Sequence, residues 1–305
     1  MNSKPSVSIF ISAYNEAANI QKVIRSILSQ DQTDFEMCEL MVFSDGSTDA
    51  TVDEVRKIQD PRISIFEHQT RIGKSTHLNT FFKTATGDIL VFFDADILLN
   101  DTHVVSEMIK PIVHDNSVGL VGANAQAQSA TGFFEEAVNV TFRAYDELRV
   151  VFKGGNNAHG ANGCGLALSR EFAQSVEIPS NAIANDHFLY HSCRAKGYKF
   201  IHQRSAVVWY RSPTNLRDQI KQNVRFIAAH SVLRDRFGNA SIQEYAVPKG
   251  IMYRLMWKQF IRKPIHVLFI FVINRYCQMR ARMVYKELGA TWAMATSTKQ
   301  DIKIG

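Results

Sequence analysis

Ile89-Leu90-Val91-Phe92-Phe93-Asp94-Ala95-Asp96 is a run of five apolar residues that ends on two acids. A continuous apolar run of this length predicts a strand covered on both faces, the form found in parallel sheets. Such a strand has no reason to finish on bare carboxylates unless a cation or hydrogen-bond donors meet them. The acids stand at i and i+2, where the chain leaves the pleat, so both can reach one hard cation. Mg²⁺ or Mn²⁺, shared with substrate phosphates, is the expected form, with Asp94 and Asp96 as its ligands. An exposed acidic turn capping the next helix is the competing account. On these residues alone the two stand level.

The flanking sequence repeats the strand-then-helix alternation. Upstream lie the β-rich run Val7–Ser12 and helical spacing over Glu16–Leu28, followed by the apolar run Leu40–Phe43. A helix is expected to begin near Asp49, capped by that residue. Arg62–Glu67 alternates like a third strand, and Gly73–Thr84 reads as a helix. This order predicts an α/β fold with a mainly parallel central sheet. Ligands of such sheets bind at the carboxyl ends of strands. Three strand ends are therefore singled out: Ala13-Tyr14-Asn15-Glu16, Ser44-Asp45-Gly46-Ser47-Thr48-Asp49 and Asp94-Ala95-Asp96. Asp45 can accept from a base N–H, and Lys74, near a helix start, suits a diphosphate. A turn residue and a solvated lysine are the plainer readings of the same two positions.

Further on, Val118–Gly122 and Ser205–Tyr210 read as strands. Phe133–Val151, Asp186–Lys196 and Asn215–Arg236 read as helices, and Lys153–Gly165 as a Gly- and Asn-rich loop. Gly197 is expected just past a helix end. His159 and Cys164, in the loop, are expected to be bystanders beside an acceptor site.

The order of these pieces resembles the family 2 glycosyltransferases. The matching elements are Ser12-Ala13-Tyr14-Asn15-Glu16, Ser44-Asp45-Gly46-Ser47-Thr48-Asp49, Gly73-Lys74, Asp94-Ala95-Asp96, Asn185-Asp186 and Gln222-Asn223-Val224-Arg225-Phe226. The resemblance implies the GT-A nucleotide-sugar-binding fold and an inverting, metal-dependent hexosyltransferase. Ala13, Asn15 and Glu16 would line the nucleotide pocket, Asp45 would contact the base, usually uracil, and Lys74 would sit near the nucleotide. Asp94 and Asp96 would flank the diphosphate. Asp186 matches the catalytic base, while Gln222 and Arg225 match a Q-x-x-R-W motif, with Arg225 steadying the leaving group. The donor implied is a nucleotide-sugar, in the first instance a UDP-sugar. The acceptor implied is a lipid, a lipid-linked saccharide or a polysaccharide, as in cell-envelope biosynthesis. Asn185 stands where the family usually has an acid, and Phe226 where it has Trp. Those departures keep open a catalytically weak nucleotide-sugar binding protein recruited to membranes.

The 305 residues are 46% hydrophobic and 21% charged, which excludes disorder and small disulfide-stapled scaffolds. Four cysteines without a C-x-x-C pair give no zinc or redox motif and are expected as free thiols. No leader pattern is visible after Met1 and no apolar run is long enough to span a bilayer, so a cytoplasmic location is expected. Between Tyr245 and Lys286 there are nine basic residues and no acid, against +6 for the whole chain. Arg254, Lys258 and Arg262 recur every four residues opposite Met252, Leu255, Met256 and Phe260. Residues 1–240 are thus expected to form the glycosyltransferase domain. Residues 241–305 are expected to form basic amphipathic helices lying on an anionic membrane at its inner face, with Trp257, Phe260, Phe269 and Phe271 entering lipid. Ordinary helices packed on the domain are the plainer reading. No pattern supports nucleic acid as a partner.

Overall fold

Val7, Ile9 and Ile11 alternate with Phe10 along the first strand, and each set finds its own helical layer. The computed structural model describes residues 4–284, 295–299 and 302. Its first half runs β1 (Ser6–Ala13), α1 (Ile20–Leu28), β2 (Glu36–Asp45), α2 (Thr51–Arg56), β3 (Ile63–His68), α3 (Lys74–Thr84) and β4 (Ile89–Asp94). These four strands pair in parallel in the order β3-β2-β1-β4. Then come β5 (Ile97–Leu99), α4 (Val104–His114), β6 (Val118–Ala127), α5 (Phe133–Val151), β7 (Gly165–Ser169), α6 (Arg170–Ser175), α7 (Asn185–Ala195) and β8 (Lys199–Tyr210). The whole sheet has the order β3-β2-β1-β4-β7-β6-β8-β5.

Val91 and Phe93 join Ile9 and Ile11 against α1 and α4. On the opposite face, Leu90 and Phe92 join Phe10 against Leu78 and Phe81 of α3 and Phe172 of α6. Both faces are covered, which is why the strands read as unbroken apolar runs. The sheet is mainly parallel but not wholly so: β7 runs antiparallel to both β4 and β6, and β5 antiparallel to β8. The sequence reading left β7 unseen, because its three apolar residues follow directly on the Gly- and Asn-rich loop. Asp49 also falls one position short of a cap. Ala50 precedes α2, while Asp49 accepts from Thr51 N at 3.0 Å and from Ala17 N at 3.1 Å. Its carboxylate therefore ties the ends of β1 and β2 together.

A third layer covers the carboxyl-terminal edge of the sheet. It comprises α5, α8 (Leu216–Phe237), α9 (Asn239–Tyr245), α10 (Lys249–Arg262) and α11 (Pro264–Val284). Ile270, Ile273, Cys277 and Ala281 of α11 pack on Ala137 and Val138 of α5 and on Val224 and Ala228 of α8. Leu255 of α10 packs on Leu148 and Phe152. Some of the basic charge is met within the molecule: Lys258 pairs with Glu147 at 2.8 Å and Lys263 with Glu136 at 3.6 Å. Among the described residues no helix is long and apolar enough to cross a membrane. All four cysteines are free thiols.

Phe10 is fully buried, with its ring centroid 5.1 Å from those of both Phe43 and Phe81. Phe10→Ala should destabilise the fold by about 3–5 kcal/mol, read as a lower denaturation midpoint in urea. A loss below about 1 kcal/mol would mean that the phenylalanine cluster does not clamp α3 to the sheet.

Candidate active site

The loops leaving β1 and β2 are sewn to each other. Ala13 closes β1 in the core, and Asn15 follows in the left-handed region at φ 54°. Asparagine tolerates this conformation better than most residues. Its Oδ1 accepts from Thr48 N at 2.8 Å, and its own N donates to Ser47 Oγ at 3.2 Å. Gly46 has φ 71°, and a Cβ there would meet the Thr70 carbonyl carbon at 2.9 Å. Glu16, the next acid along, is buried; its N donates to Thr51 Oγ1 at 2.8 Å. Its Oε1 pairs with Lys299, and Oε2 is left without a hydrogen bond. Burial, together with the charge of Asp96, pushes the Glu16 carboxyl up to about 8 despite Lys299.

Asp45 sits at the end of β2 and is turned towards the start of α3. Its Oδ1 accepts from Ile72 N at 2.7 Å, Gly73 N at 3.0 Å and His77 Nε2 at 3.0 Å. Burial alone would raise this carboxyl, but those hydrogen bonds prevail and hold it at about 2. Oδ2 faces the Arg71 guanidinium at 3.6 Å. Asp45 thereby fixes the turn that presents Lys74, the first residue of α3. The Lys74 ammonium pairs with Asp94 Oδ1 and lies 5.1 Å from the centroid of the Phe92 ring.

Asp94 ends β4, and Asp96 follows in the turn before β5. Both keep some solvent contact although protein surrounds them on most sides. Burial and the neighbouring Asp94 charge push the Asp96 carboxyl up. Across the cleft, α7 begins at Asn185 and puts Asp186 in its first turn. Asp186 Oδ1 accepts from His187 N at 2.8 Å. Burial raises the Asp186 carboxyl, while the charges of Lys74 and Arg225 pull it back. Gly163 marks how close the two walls come. A Cβ at that glycine would lie 3.1 Å from Asp94 Oδ2 and 3.8 Å from Asp186 Oδ2. The metal-type motif and the base candidate thus face the same small space.

Gln222 and Arg225 stand one turn apart on α8. Burial disfavours the charge of the Arg225 guanidinium, and the charges of Asp186, Asp94 and Asp96 favour it. Gln222 Oε1 is buried without a hydrogen bond. Asn185 has a structural reason to be an amide. Its Oδ1 accepts from Ser75 Oγ at 2.9 Å, which links α7 to α3 without adding a charge beside Asp186.

The donor set suits a hard divalent cation, which takes carboxylate oxygens. Asp94 resists the ionisation of Asp96, so the pair is short of positive charge. Among the described residues no three acids, histidines or cysteines form a ready-made cage. That fits an ion whose other ligands are phosphate oxygens and water. Burial and the nearby Asp94 and Asp96 charges push the Cys164 thiol up, which disfavours its thiolate. Burial holds the His159 imidazole down at about 3. Sequence reasoning set Gly163 only within the Gly- and Asn-rich loop beside the acceptor site, and it missed Arg71 and Lys299. Arg71 lies 4.2 Å over the Tyr14 ring. Nothing local in the sequence marks these two, because their partners come from other elements.

The chain belongs to glycosyl transferase family 2, whose family model matches residues 8–176. Asp186, Gln222 and Arg225 lie beyond the matched span. A poly-beta-1,6-N-acetyl-D-glucosamine synthase of Staphylococcus aureus is 24% identical over 292 residues, covering 90% of this chain and 67% of the relative. Among solved structures, a mannosyltransferase from Pyrobaculum calidifontis in complex with GDP-Man and Mn²⁺ superposes with a TM-score of 0.62 at 20% identity. The match covers 96% of this chain and 77% of that one. Glucosyl-3-phosphoglycerate synthase from Mycobacterium tuberculosis, solved with Mn²⁺, UDP and phosphoglyceric acid, gives 0.53 at 20% identity, over 77% and 79% of the two chains. At these identities the solved structures establish the fold, which is GT-A.

Gly163→Ala should leave stability nearly unchanged, since its φ needs no glycine, yet lower sugar transfer by roughly tenfold to a hundredfold. Steady-state rates beside a thermal melt check this. Full activity would mean that the reacting sugar does not use the space between Asp94 and Asp186.

Proposed function

We propose that the chain is a metal-dependent, inverting hexosyltransferase. It takes sugar from a UDP-sugar and passes it to a lipid, a lipid-linked saccharide or a polysaccharide at the cytoplasmic face of a membrane. The observation that carries this reading is the shared space at Gly163, with Asp94 on one side, Asp186 on the other, and Lys74 and Arg225 as flanking cations.

Asp186 Oδ2 receives the proton of the acceptor hydroxyl as its oxygen attacks the anomeric carbon. The bond from that carbon to the diphosphate oxygen breaks with its electron pair on the oxygen. A single displacement of this kind inverts the centre. The burial that raises the Asp186 carboxyl makes it a stronger base. Arg225 and Lys74 stabilise charge developing on the leaving diphosphate. Asp94 and Asp96 would hold a divalent cation, which supplies further charge neutralisation there when bound. Ala13, Asn15, Glu16 and Asp45 form the nucleotide wall.

The Staphylococcus relative supports a saccharide acceptor, and the Mycobacterium structure supports UDP. The Pyrobaculum structure carries GDP-Man, so GDP-mannose belongs in the donor panel. Asp186→Asn should cut transfer by about a thousandfold or more while nucleoside diphosphate binding persists, measured by diphosphate release and by calorimetry. Full turnover in that variant would remove Asp186 from its role.

The membrane part of the reading is supported by α11, which has two apolar sides. Val267, Ile270, Ile273 and Cys277 face the protein, while Ile265, Leu268, Val272, Met279 and Met283 are exposed. Trp257 of α10 is also exposed and stacks on Phe260, with ring centroids 5.5 Å apart. Phe269 has another task, packing on Phe133 at 5.3 Å. Exposed apolar stripes on two helices that carry cations and no acid of their own suit an anionic lipid surface. Sedimentation with phosphatidylglycerol vesicles should fall with salt, and in Leu268→Asp/Val272→Asp should fall by at least about tenfold. No sedimentation of the intact chain would refute the surface.

A further inference from the structure

Lys299 reaches the donor pocket from the far end of the chain. Its ammonium pairs with Glu16 Oε1 and donates to the Tyr14 carbonyl. The side chain is 9% exposed and that of Glu16 is 5%. A buried pair of this kind leaves a costly lone charge when one partner is lost. The ammonium also lies 5.7 Å from the centroid of the Tyr14 ring, which carries Arg71 as well. Its positive charge extends to Asp96, whose carboxyl it pulls down against burial and Asp94.

The segment that carries Lys299 is held at two places. On one side, Ser297 N donates to Asp218 Oδ2 at 2.8 Å, and Thr214 N donates to Ser297 Oγ at 3.2 Å. Asp218 stands on α8, one turn before Gln222. On the other side, Asn19 Nδ2 donates to the Lys299 carbonyl at 3.0 Å, and Ile302 N donates to Asn19 Oδ1 at 3.1 Å. Lys22 Nζ donates to the Ile302 carbonyl at 2.9 Å, and the Ile302 side chain is fully buried. The strap runs from the helix of Arg225 to the helix behind Glu16.

We propose that Lys299 is a positioning residue for the donor nucleotide, acting through Glu16. It occupies one carboxylate oxygen and fixes the side chain. The buried Oε2, which has no hydrogen bond from the protein, is left for a polar group of the nucleoside. This inference rests on the donor-pocket reading above. Glu16 touches the ligand, and Lys299 sets where Glu16 stands.

The test uses UDP and GDP as probes, with Mn²⁺ present. Binding is followed by calorimetry, and KM and kcat with the donor that turns over. Lys299→Met should weaken nucleotide binding and raise donor KM about tenfold or more, with a much smaller change in kcat. Lys299→Arg should recover most of that loss. Glu16→Gln should weaken binding by itself, and the double variant should be no worse than Glu16→Gln. Unaltered binding in Lys299→Met would overturn the proposal, as would losses that simply multiply in the double variant. If Lys299→Met does not fold, unaltered binding in Glu16→Gln overturns it equally. If the unmodified chain binds neither nucleotide, the donor-pocket reading itself falls. If it binds one of them and Lys299→Met binds it as well, only the role of Lys299 falls.

Discussion

Everything in this molecule is arranged around one electrostatic difficulty: four carboxylates in one cleft. Glu16, Asp96 and Asp186 all have their ionisation resisted by burial, and Asp94 adds its charge to the first two. Like charges brought together away from water repel strongly unless cations stand among them. The fold supplies three, each from a different element: Lys74 from the start of α3, Arg225 from the middle of α8 and Lys299 from the carboxyl-terminal strap. The sheet collects the acids because parallel strands end on the same side. The helices and the strap bring the compensating charge from elsewhere. On the proposed mechanism, the remaining shortage of positive charge suits a metal-bound diphosphate and makes a carboxylate a willing proton acceptor.

The acids themselves were legible in the sequence. Asp45 and Asp94 are announced by the apolar runs before them, and Asp186 by the helix that follows it. The resemblance to a known family then gave all of them an order. What the sequence hid was who holds them. Asp45 reads as a base contact or a turn residue, yet its Oδ1 takes three hydrogen bonds from the segment around Lys74. Asn185 reads as a departure from pattern, but its amide bonds Ser75, over a hundred residues away. The antiparallel β7 was invisible because strand direction is decided by tertiary pairing and not by local preference. Gly163 reads only as one residue of a Gly- and Asn-rich loop beside the acceptor site, since closeness to Asp94 and Asp186 is a property of three dimensions.

The basic carboxyl-terminal segment shows the same division. Its charge and amphipathic spacing are plain in the sequence. Which apolar stripe docks and which stays outside is decided by α5 and α8. One stripe of α11 supports α8, the helix that carries Gln222 and Arg225, and the other stripe is left on the surface. A load on the outer stripe therefore bears on the helix that carries Gln222 and Arg225.

The strap has a consequence for the order in which the protein is made. Glu16 is synthesised 283 positions before its counter-ion. Domains fold from the amino terminus as synthesis proceeds. A nascent chain can therefore assemble the sheet, bury its core and set the acids at the strand ends while Glu16 still lacks its cation. Until residue 299 has emerged, the folded sheet holds Glu16 without the cation that fixes it.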